Sequence, residues 1–539
     1  MASFPLYQNR LFRDLWVATF LSNLGVLIQG VGAAWLMTSL SNSTAMVAMV
    51  QSSTTLPMLL LALLGGVVAD GFDRRWIMLV AQLFRFFVSI VLVVVVWFGV
   101  ITPQLLLIFT FLIGCGVALN FPAWQASVGD IVPRAELRSA VAANSVGFNL
   151  SRSAGPALGG LIVATSGVVV AFVVNAASYI MLLVVLWRWT PEKVAEPLPR
   201  EPIGAAMRTG LRYVALSPEI LKVLLRSLAF GLGAAAVPAL LPVVVVEQLG
   251  DGPFLYGMLL AAFGLGAVGG AAYAKTWQDR VGIEIVTRLS FLGFAVCAIV
   301  TGLSSSVWLT GIAQVIGGCC WVLAFALFNA TIQLSTPRWV VGRVLSVFQT
   351  VTFGSIAIGS WIWGIAAESW NLAFAHELSG LLMLVGAVLG LIFPLPRQAN
   401  SDVDTSDLED MSHIEPLPDD LRRPVHIEIT YRIDDKDLSR FFALMVERKR
   451  LRQRDGARHW LLLRDLTEGN CWSERYSTSN WADYVRHNLR QTKSAAMIQE
   501  QIMALHQGDV PPFVRRHVES APTPLRLQRR RQRNKSGRS

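Results

Sequence analysis

The chain has 539 residues, 53% of them hydrophobic, a mean hydropathy of +0.51 and a formal net charge of +10. So apolar a composition excludes a soluble globular protein and points to a polytopic membrane protein. The positive charge lies in short breaks between apolar runs and at the extreme C-terminus, so it reads as membrane topology and contact with anionic lipid, and no nucleic-acid partner is expected.

A spanning helix needs about 20 mostly apolar residues. Twelve such runs follow one another, at about 15–38, 45–68, 76–99, 104–123, 139–164, 167–189, 221–247, 254–276, 285–303, 307–331, 340–365 and 372–395. Every Lys and Arg in a break falls on alternate breaks. One set holds Arg74 and Arg75, Arg134 and Arg138, Arg188 through Arg226, Lys275, Arg280 and Arg288, and Arg338 and Arg343; the other holds none. Because positive charge in short loops resists translocation, the first set and both termini are expected in the cytoplasm. The outward connections are too short to hold a folded domain, which excludes a receptor or a secreted catalytic domain. No cleavable signal is expected at the N-terminus, since Arg10, Arg13 and Asp14 lead straight into a full-length span. Cys115, Cys297, Cys319 and Cys320 fall inside spans and Cys471 in the cytoplasmic tail; free thiols are expected, and no metal-ligand spacing occurs.

The organisation is therefore an N-terminal six-helix bundle (1–190), a cytoplasmic connection (191–219) with a short helix near Ile203–Ala215, and a second six-helix bundle (220–397). Two such bundles suit rocking about a central cavity. A weak internal repeat supports the division: Pro133-Arg134 and Arg138 precede span five, Pro337-Arg338 and Arg343 precede span eleven, and Phe148 and Gly159 align with Phe353 and Gly364. Residues 398–420 are acidic and predicted to be a disordered linker. A globular segment over 421–521 follows. Val425–Ile433 alternates as a half-buried strand, and Leu438, Phe441, Phe442 and Met445 recur at helical spacing. Strands are predicted at Ala457–Leu466 and Cys471–Ser477 around a turn at Glu468-Gly469-Asn470, then a helix over Trp481–Leu505 and a closing strand at Phe513–Val518. That order is the ferredoxin-like split β-α-β. An Arg-rich tail from 522 to 539 ends the chain. The predicted fold class is thus an all-α polytopic membrane protein of twelve transmembrane helices plus a small α+β ferredoxin-like domain.

The second break reads Gly66-Val-Val-Ala-Asp70-Gly-Phe-Asp73-Arg74-Arg75. It resembles the cytoplasmic loop of the major facilitator superfamily, where an Asp and arginines form a charge relay that latches the outward-open state. The resemblance implies a gate made by Asp70, Asp73, Arg74 and Arg75; Gly71 departs from the pattern where a basic residue is usual. Span five carries Gly155-Pro156-Ala-Leu-Gly159-Gly160, which resembles the antiporter signature of that superfamily. Its glycines permit close helix packing and its proline bends the helix. Phe121-Pro-Ala-Trp-Gln125, Asn149-Leu-Ser-Arg152 before Gly155-Pro156, and Pro337–Val347 narrow the resemblance to the transmembrane secretion effector branch, which includes enterobactin-type siderophore exporters. That resemblance implies a bacterial inner-membrane location, no cofactor and no enzymatic step. The 421–521 segment is similar in layout to antibiotic-biosynthesis-monooxygenase-type domains, which pair their sheets. His426, His459, Trp460, His487 and His506 form no catalytic motif there, so an oligomerisation or regulatory module is the better reading and a homo-oligomer through this domain is anticipated.

A charge at mid-membrane costs at least about 2.5–3.5 kcal/mol, so Arg152 is expected to face the bundle interior and to hold either an anionic substrate group or a partner on a facing helix. Arg85, on one face with Gln82, is a second candidate, with an interhelical pair as its simpler role. Asn23, Gln29, Asn120, Asn144, Asn149, Asn329, Gln333 and Gln349 are candidate cavity amides, and Trp35, Trp124, Trp321, Trp361 and Trp363 candidate stacking partners. No acidic residue lies plainly at mid-membrane. The proton-coupling candidates are Glu247, His376, Glu377 and Asp130, and proton motive force is inferred from the resemblance alone. No Gly-x-x-x-x-Gly-Lys-Ser/Thr loop occurs, which disfavours ATP-driven transport. The expected function is export of a small organic molecule, such as a siderophore, antibiotic or drug-like compound, by a secondary antiporter. The alternatives are a sensor or scaffold working through residues 425–519, and an uptake permease.

Overall fold

The structure, a computed structural model, describes residues 9–71, 73–133, 136–190, 203–337, 339–395, 423–490, 492–508 and 511–519. The side chains of Asp70, Asp130, Arg138 and Asn149, the acidic linker and the Arg-rich tail lie outside the described residues.

Fourteen helices come first: α1 (Arg10–Leu40), α2 (Thr44–Gly71), α3 (Arg74–Trp97), α4 (Pro103–Ile131), α5 (Leu137–Ser166), α6 (Val168–Arg188), α7 (Ile203–Ala215), α8 (Pro218–Ala234), α9 (Ala236–Glu247), α10 (Pro253–Val281), α11 (Ile283–Leu303), α12 (Val307–Leu334), α13 (Val341–Ser369) and α14 (Leu372–Ile392). Local chemistry sets their ends. Asn9, Asp73, Thr102 and Asn371 each accept a backbone N–H of the first turn of α1, α3, α4 and α14. Gly167 and Gly282, at φ +84° and +85°, turn the chain within one residue between α5 and α6 and between α10 and α11. The predicted seventh span is broken into α8 and α9 at Ala235. Pro238 cannot donate to the carbonyl of Ala234, so a fresh helix starts there with the proline in its first turn.

Among the described residues, eleven helices are long and apolar enough to cross a membrane, with α8 and α9 counted as one. The sequence reading expected twelve, and the difference is α5, whose 30 residues include Asn144, Asn149 and Arg152. Within the first half of the chain α1 packs on α5 and α6, and α4 on α2 and α3; in the second, α11 packs on α12 and α14, and α10 on α12. The halves meet along α2 against α13 and α5 against α10.

One cation needs relocating. Arg226, counted above with the loop charges, lies inside α8 with no exposed surface, and its Nη1 donates to Glu284 Oε2 at 2.6 Å. Glu284 also accepts from Arg288 Nε (2.6 Å) and from the Leu395 N–H (2.8 Å), while Arg288 Nη2 donates to Gly390 O (2.8 Å). The carboxylate neutralises the buried guanidinium and fastens the end of α14 to α8 and α11.

The second compact unit is formed chiefly by the residues after Gln398. It contains β1 (Val425–Arg432), α15 (Leu438–Asp455), β2 (Arg458–Arg464), β3 (Cys471–Thr478), α16 (Trp481–Leu489), α17 (Lys493–Met503) and β4 (Phe513–Val518). The sheet order is β2-β3-β1-β4, with every neighbouring pair antiparallel. Alternation in β1 puts Val425, Ile427, Ile429 and Tyr431 into a core completed by Phe441, Met445, Tyr476 and Ile502. The helix predicted over 481–505 is two helices. Thr492 accepts the Ala495 N–H and caps α17, which ends the continuity.

Candidate functional site

The halves make their closest approach in α5. Its glycines divide their work: a Cβ at Gly155 would stand 2.8 Å from Leu27 Cβ, and one at Gly159 would stand 3.1 Å from Ile28 Cα, both on α1. A Cβ at Gly160 would stand 2.5 Å from Gly257 Cα of α10, and the reciprocal distance is 2.6 Å. Gly155 and Gly159 thus hold the first half together, while Gly160 forms the seam with the second. Next to it Trp35 of α1 stacks on Tyr256 of α10, with centroids 6.4 Å apart. The matching seam between α2 and α13 uses Gly364, where a Cβ would stand 3.1 Å from Ala45 Cα, and a hydrogen bond of 2.7 Å from Ser52 Oγ to Ala357 O. Glu368 closes its end, accepting from Ser43 Oγ and the Ala45 N–H. The role of Gly364 is thus taken in the other seam by Gly160, one residue beyond the aligned Gly159.

Arg152 sits halfway along α5, one turn before Pro156, whose missing N–H leaves the Arg152 carbonyl without its helical donor. Its guanidinium lies 5.2 Å from the Trp321 ring centroid and 5.8 Å from that of Phe263, so it reaches from the first half onto α12 and α10 of the second. Trp321 belongs to a nest of edge-to-face rings with Phe230, Phe263 and Phe325. Among the described residues no carboxylate lies within ion-pair distance of Arg152. Cation–π contacts supply about 0.5–2 kcal/mol, below the cost of a mid-membrane charge, so the guanidinium retains capacity for an anionic partner.

Arg85 is buried differently. Its Nη1 donates to Gln82 Oε1 (3.1 Å) and its Nη2 to Tyr179 Oη (3.1 Å), inside the first half. Asn175 of α6 donates to Gln29 Oε1 and to Ser89 Oγ, so Gln29 is bonded between helices. Asn23, Asn120, Asn144 and Gln349 are partly buried, and among the described residues the Oδ1 of Asn120 has no hydrogen-bond partner. Asn329 accepts from the exposed Gln333 (2.8 Å). Trp363 donates to Leu232 O, Trp124 packs beside Phe12 and Leu15, and Trp361 is half exposed. Of the gate residues, Asp73 caps α3, and Arg75 donates to Leu186 O (2.9 Å) and Trp187 O (2.6 Å) at the end of α6. His376 is fully buried against Gly302, with Nδ1 2.9 Å from Leu372 O, whereas its neighbour Glu377 and also Glu247 are exposed. All five cysteines are free.

A family model described as transmembrane secretion effector matches residues 1–523. The chain belongs to that family. These are major facilitator transporters, so the protein is a multi-pass membrane transporter of small molecules and not an enzyme. It is similar to the MFS-type transporter YfiS of Bacillus subtilis (25% identity over 72% of this chain and 94% of the relative) and to the enterobactin exporter EntS of Citrobacter koseri (26% over 71% and 91%). Among solved structures, a variant of the nucleoside transporter NupG (TM-score 0.59, 13% identity) and a D-xylose–proton symporter (TM-score 0.57, 15%) share the helical fold, each covering 71% of this chain and 98% of its own.

The transporter's C-terminal unit carries a second polar centre, which the sequence reading missed. Glu474 of β3 is fully buried; its Oε2 accepts from Arg448 Nε (2.7 Å) and Tyr431 Oη (3.1 Å), and its Oε1 accepts from Trp460 Nε1 (3.0 Å). Arg452 Nε stands 3.7 Å from Oε1, and Arg452 Nη1 contacts His487 Nε2 at 3.0 Å. Burial pushes the Glu474 pKa upward, but Arg448 and Arg452 outweigh it and hold the carboxyl at about 2. Burial, with Arg452 alongside, holds His487 down at about 3, so it is neutral. The sequence reading named Trp460 and His487 without partners and had Glu474 inside the predicted strand Cys471–Ser477, but nothing in it joined these residues to Arg448 and Arg452.

Proposed function

We propose that the protein exports a small organic molecule, such as a siderophore, antibiotic or other drug-like compound, by alternating access, with proton antiport as the energy source. The single observation that carries this reading is Arg152, a mid-helix cation at the junction of the halves whose partners among the described residues are aromatic rings. In this reading α5 is the twelfth span, its packing between α1 and α10 giving it the same surroundings as its neighbours. Both termini are cytoplasmic, as the alternation of charged breaks requires. The Gly160–Gly257 and Gly364 seams then lie toward the outer face, and rocking of the bundles opens them. The gate assigned to Asp70, Asp73, Arg74 and Arg75 includes a structural task for Arg75, which fastens α3 to α6.

Export is favoured over uptake by the Gly155-Pro156-Gly159-Gly160 signature and by similarity to a protein named as an exporter. Among the proton-coupling candidates whose side chains are described, His376 is the one buried from water, and its Nε2 has no hydrogen-bond partner among the described residues. The sheet order β2-β3-β1-β4, with α15 between β1 and β2 and α16–α17 between β3 and β4, supports a ferredoxin-like domain. Its second sheet face exposes Leu461, Leu463 and Phe513, which fits self-association. The test is to compare extracellular metabolites of a strain lacking the protein with those of the complemented strain, in iron-rich and iron-poor medium. A compound lost from the medium and accumulated inside the deleted strain supports export; a compound depleted from cells and left in the medium supports uptake instead.

A further inference from the structure

Polar side chains gather at one end of the second half, around Gly302 of α11. Gln248, just past the end of α9, donates from Nε2 to Gly302 O (2.8 Å), and a Cβ at Gly302 would stand 2.9 Å from Cγ of His376 on α14. Gln314 of α12 donates from Nε2 to Oγ1 of Thr301, the residue before Gly302 (3.1 Å), and Thr310 precedes Gln314 by one turn on the same face. Thr301, Thr310, Gln314 and His376 have no exposed surface. We propose, resting on the proton-antiport reading above, that this cluster loads the coupling proton, held on His376 Nε2 with the amide oxygens of Gln248 and Gln314 as its acceptors.

The hydrogen bonds left open select the guest. His376 Nδ1 lies 2.9 Å from Leu372 O, and a carbonyl only accepts, so the neutral ring carries its hydrogen on Nδ1 and leaves Nε2 a bare acceptor. The amides are oriented in the same sense. Gln248 Nε2 is engaged by a carbonyl, and Gln314 Nε2 by Thr301 Oγ1, whose own hydrogen goes to the Cys297 thiol. Both Oε1 atoms and His376 Nε2 are buried without a hydrogen-bond partner among the described residues, and so is Thr310 Oγ1, a hydroxyl free to donate. Three acceptors thus face one donor. A proton on Nε2 turns the ring into a donor and leaves two donors for two amide oxygens; acceptors placed around the charged form favour it. No described charge opposes it from the helices packed on α14. Glu247 and Glu368, at the near ends of α9 and α13, and Glu377 on α14 itself are exposed. Glu219, Lys222, Arg226, Glu284, Arg288 and Arg343 lie at the far ends of α8, α11 and α13. Cys297, bonded to Thr301, is the nearest titratable side chain named by these contacts. Gln248 is partly exposed and leads into the exposed Gly250 and Asp251, so the cluster is reached from that end. With both termini cytoplasmic, that end is the outer face, from which an antiporter takes its proton.

The test follows the proton itself, by solid-state NMR of the full-length protein with ¹⁵N-labelled histidine in lipid bilayers. The His376 signals are identified by their absence in His376→Gln. The ring is expected to keep Nδ1 protonated and Nε2 bare at about pH 8, and to gain the Nε2 hydrogen as the pH falls toward about 5. Gln248→Leu and Gln314→Leu are each expected to raise the proton concentration needed for half-protonation at least about fivefold, and Gln248→Glu to lower it by a similar factor. A water molecule donating to the same acceptors would leave Nε2 bare throughout. A ring that stays bare to pH 5, or titrates identically in all three variants, would overturn the proposal. If flux is nonetheless driven by a proton gradient, the antiport reading survives and only this site fails. A ring that titrates as expected beside flux indifferent to the gradient would overturn the antiport reading and the loading role together.

Discussion

If the Gly160–Gly257 crossing closes one face of the transporter, one methyl group there shifts its conformational balance. A Cβ at Gly160 would stand 2.5 Å from Gly257 Cα, about 1 Å inside ordinary carbon–carbon contact. Neither neighbour is a side chain that can swing aside, so α5 and α10 must separate by about that amount. Overpacking of this kind costs about 1–3 kcal/mol, and the cost falls only on the state in which the seam is shut. At 1.4 kcal/mol per factor of ten, Gly160→Ala therefore lowers the closed population relative to the open one by roughly 5- to 150-fold. Gly257→Ala is expected to do the same. Gly269→Ala, on the same α10 but with no atom within 4 Å of the new Cβ, is the control and is expected to change nothing. Pulsed-EPR distances between spin labels at the exposed Ser166 and Asp251, in a background lacking the native cysteines, read the separation of the two helix ends. The account predicts a short-distance population in the parent that gives way to longer distances in Gly160→Ala and Gly257→Ala. Unchanged distributions in both variants, or an equal shift in Gly269→Ala, would refute the reasoning.

Arg75→Ala removes two charge-assisted bonds to the end of α6 and is expected to destabilise the first half by about 1–3 kcal/mol, read as a lowered thermal midpoint; lost transport at an unaltered midpoint would instead leave Arg75 a gate residue only. Glu474→Gln strands Arg448 and Arg452 and is expected to cost the C-terminal unit roughly 3–5 kcal/mol, seen as faster proteolysis of that unit in the full chain. Acid acts on the same cluster. Glu474 is held at about 2, below the usual carboxylate value, so its contribution is present above that usual value and is lost as pH falls toward 2; His487, held at about 3, adds a loss that begins as pH drops below about 6.5. Protection factors in this unit, with exchange rates referred to the intrinsic rate at each pH, are therefore expected to fall below about pH 6, and equal protection factors at pH 7 and pH 4 would contradict the buried charges. Removal of residues 400–539 is expected to leave residual transport, whereas a scaffold acting through that segment would lose its whole phenotype.

Much of the helical framework was legible because its causes are local. The alternation of charged and uncharged breaks and the capping residues act over a few residues, and the glycines of span five stood out by their spacing although their partners lie on α1 and α10. The short helix at Ile203–Ala215 and the alternating strand β1 were readable for the same reason. What escaped was pairing across distance. Nothing near Arg226 in the chain announces Glu284, so a buried ion pair looked like a loop charge. Arg152 was visible as an anomaly, but its seat on Trp321 and Phe263 depends on how two halves of the chain meet. Gln29 looked like a cavity amide and is bonded to Asn175, 146 residues away. The breaks at Ala235 and near Thr492 were local after all: a proline and a capping threonine were present, and long apolar or helical patterns concealed them.

The most direct test of export through the Arg152 junction is flux in proteoliposomes. Purified protein is reconstituted with a defined orientation, the metabolite named by the deletion strain is loaded on the cytoplasmic side, and a proton gradient is imposed in either direction. The account predicts transport out of the cytoplasmic compartment, driven by inward proton movement and reduced at least about tenfold by Arg152→Gln. Transport only toward the cytoplasmic side, or full flux in Arg152→Gln, would contradict it.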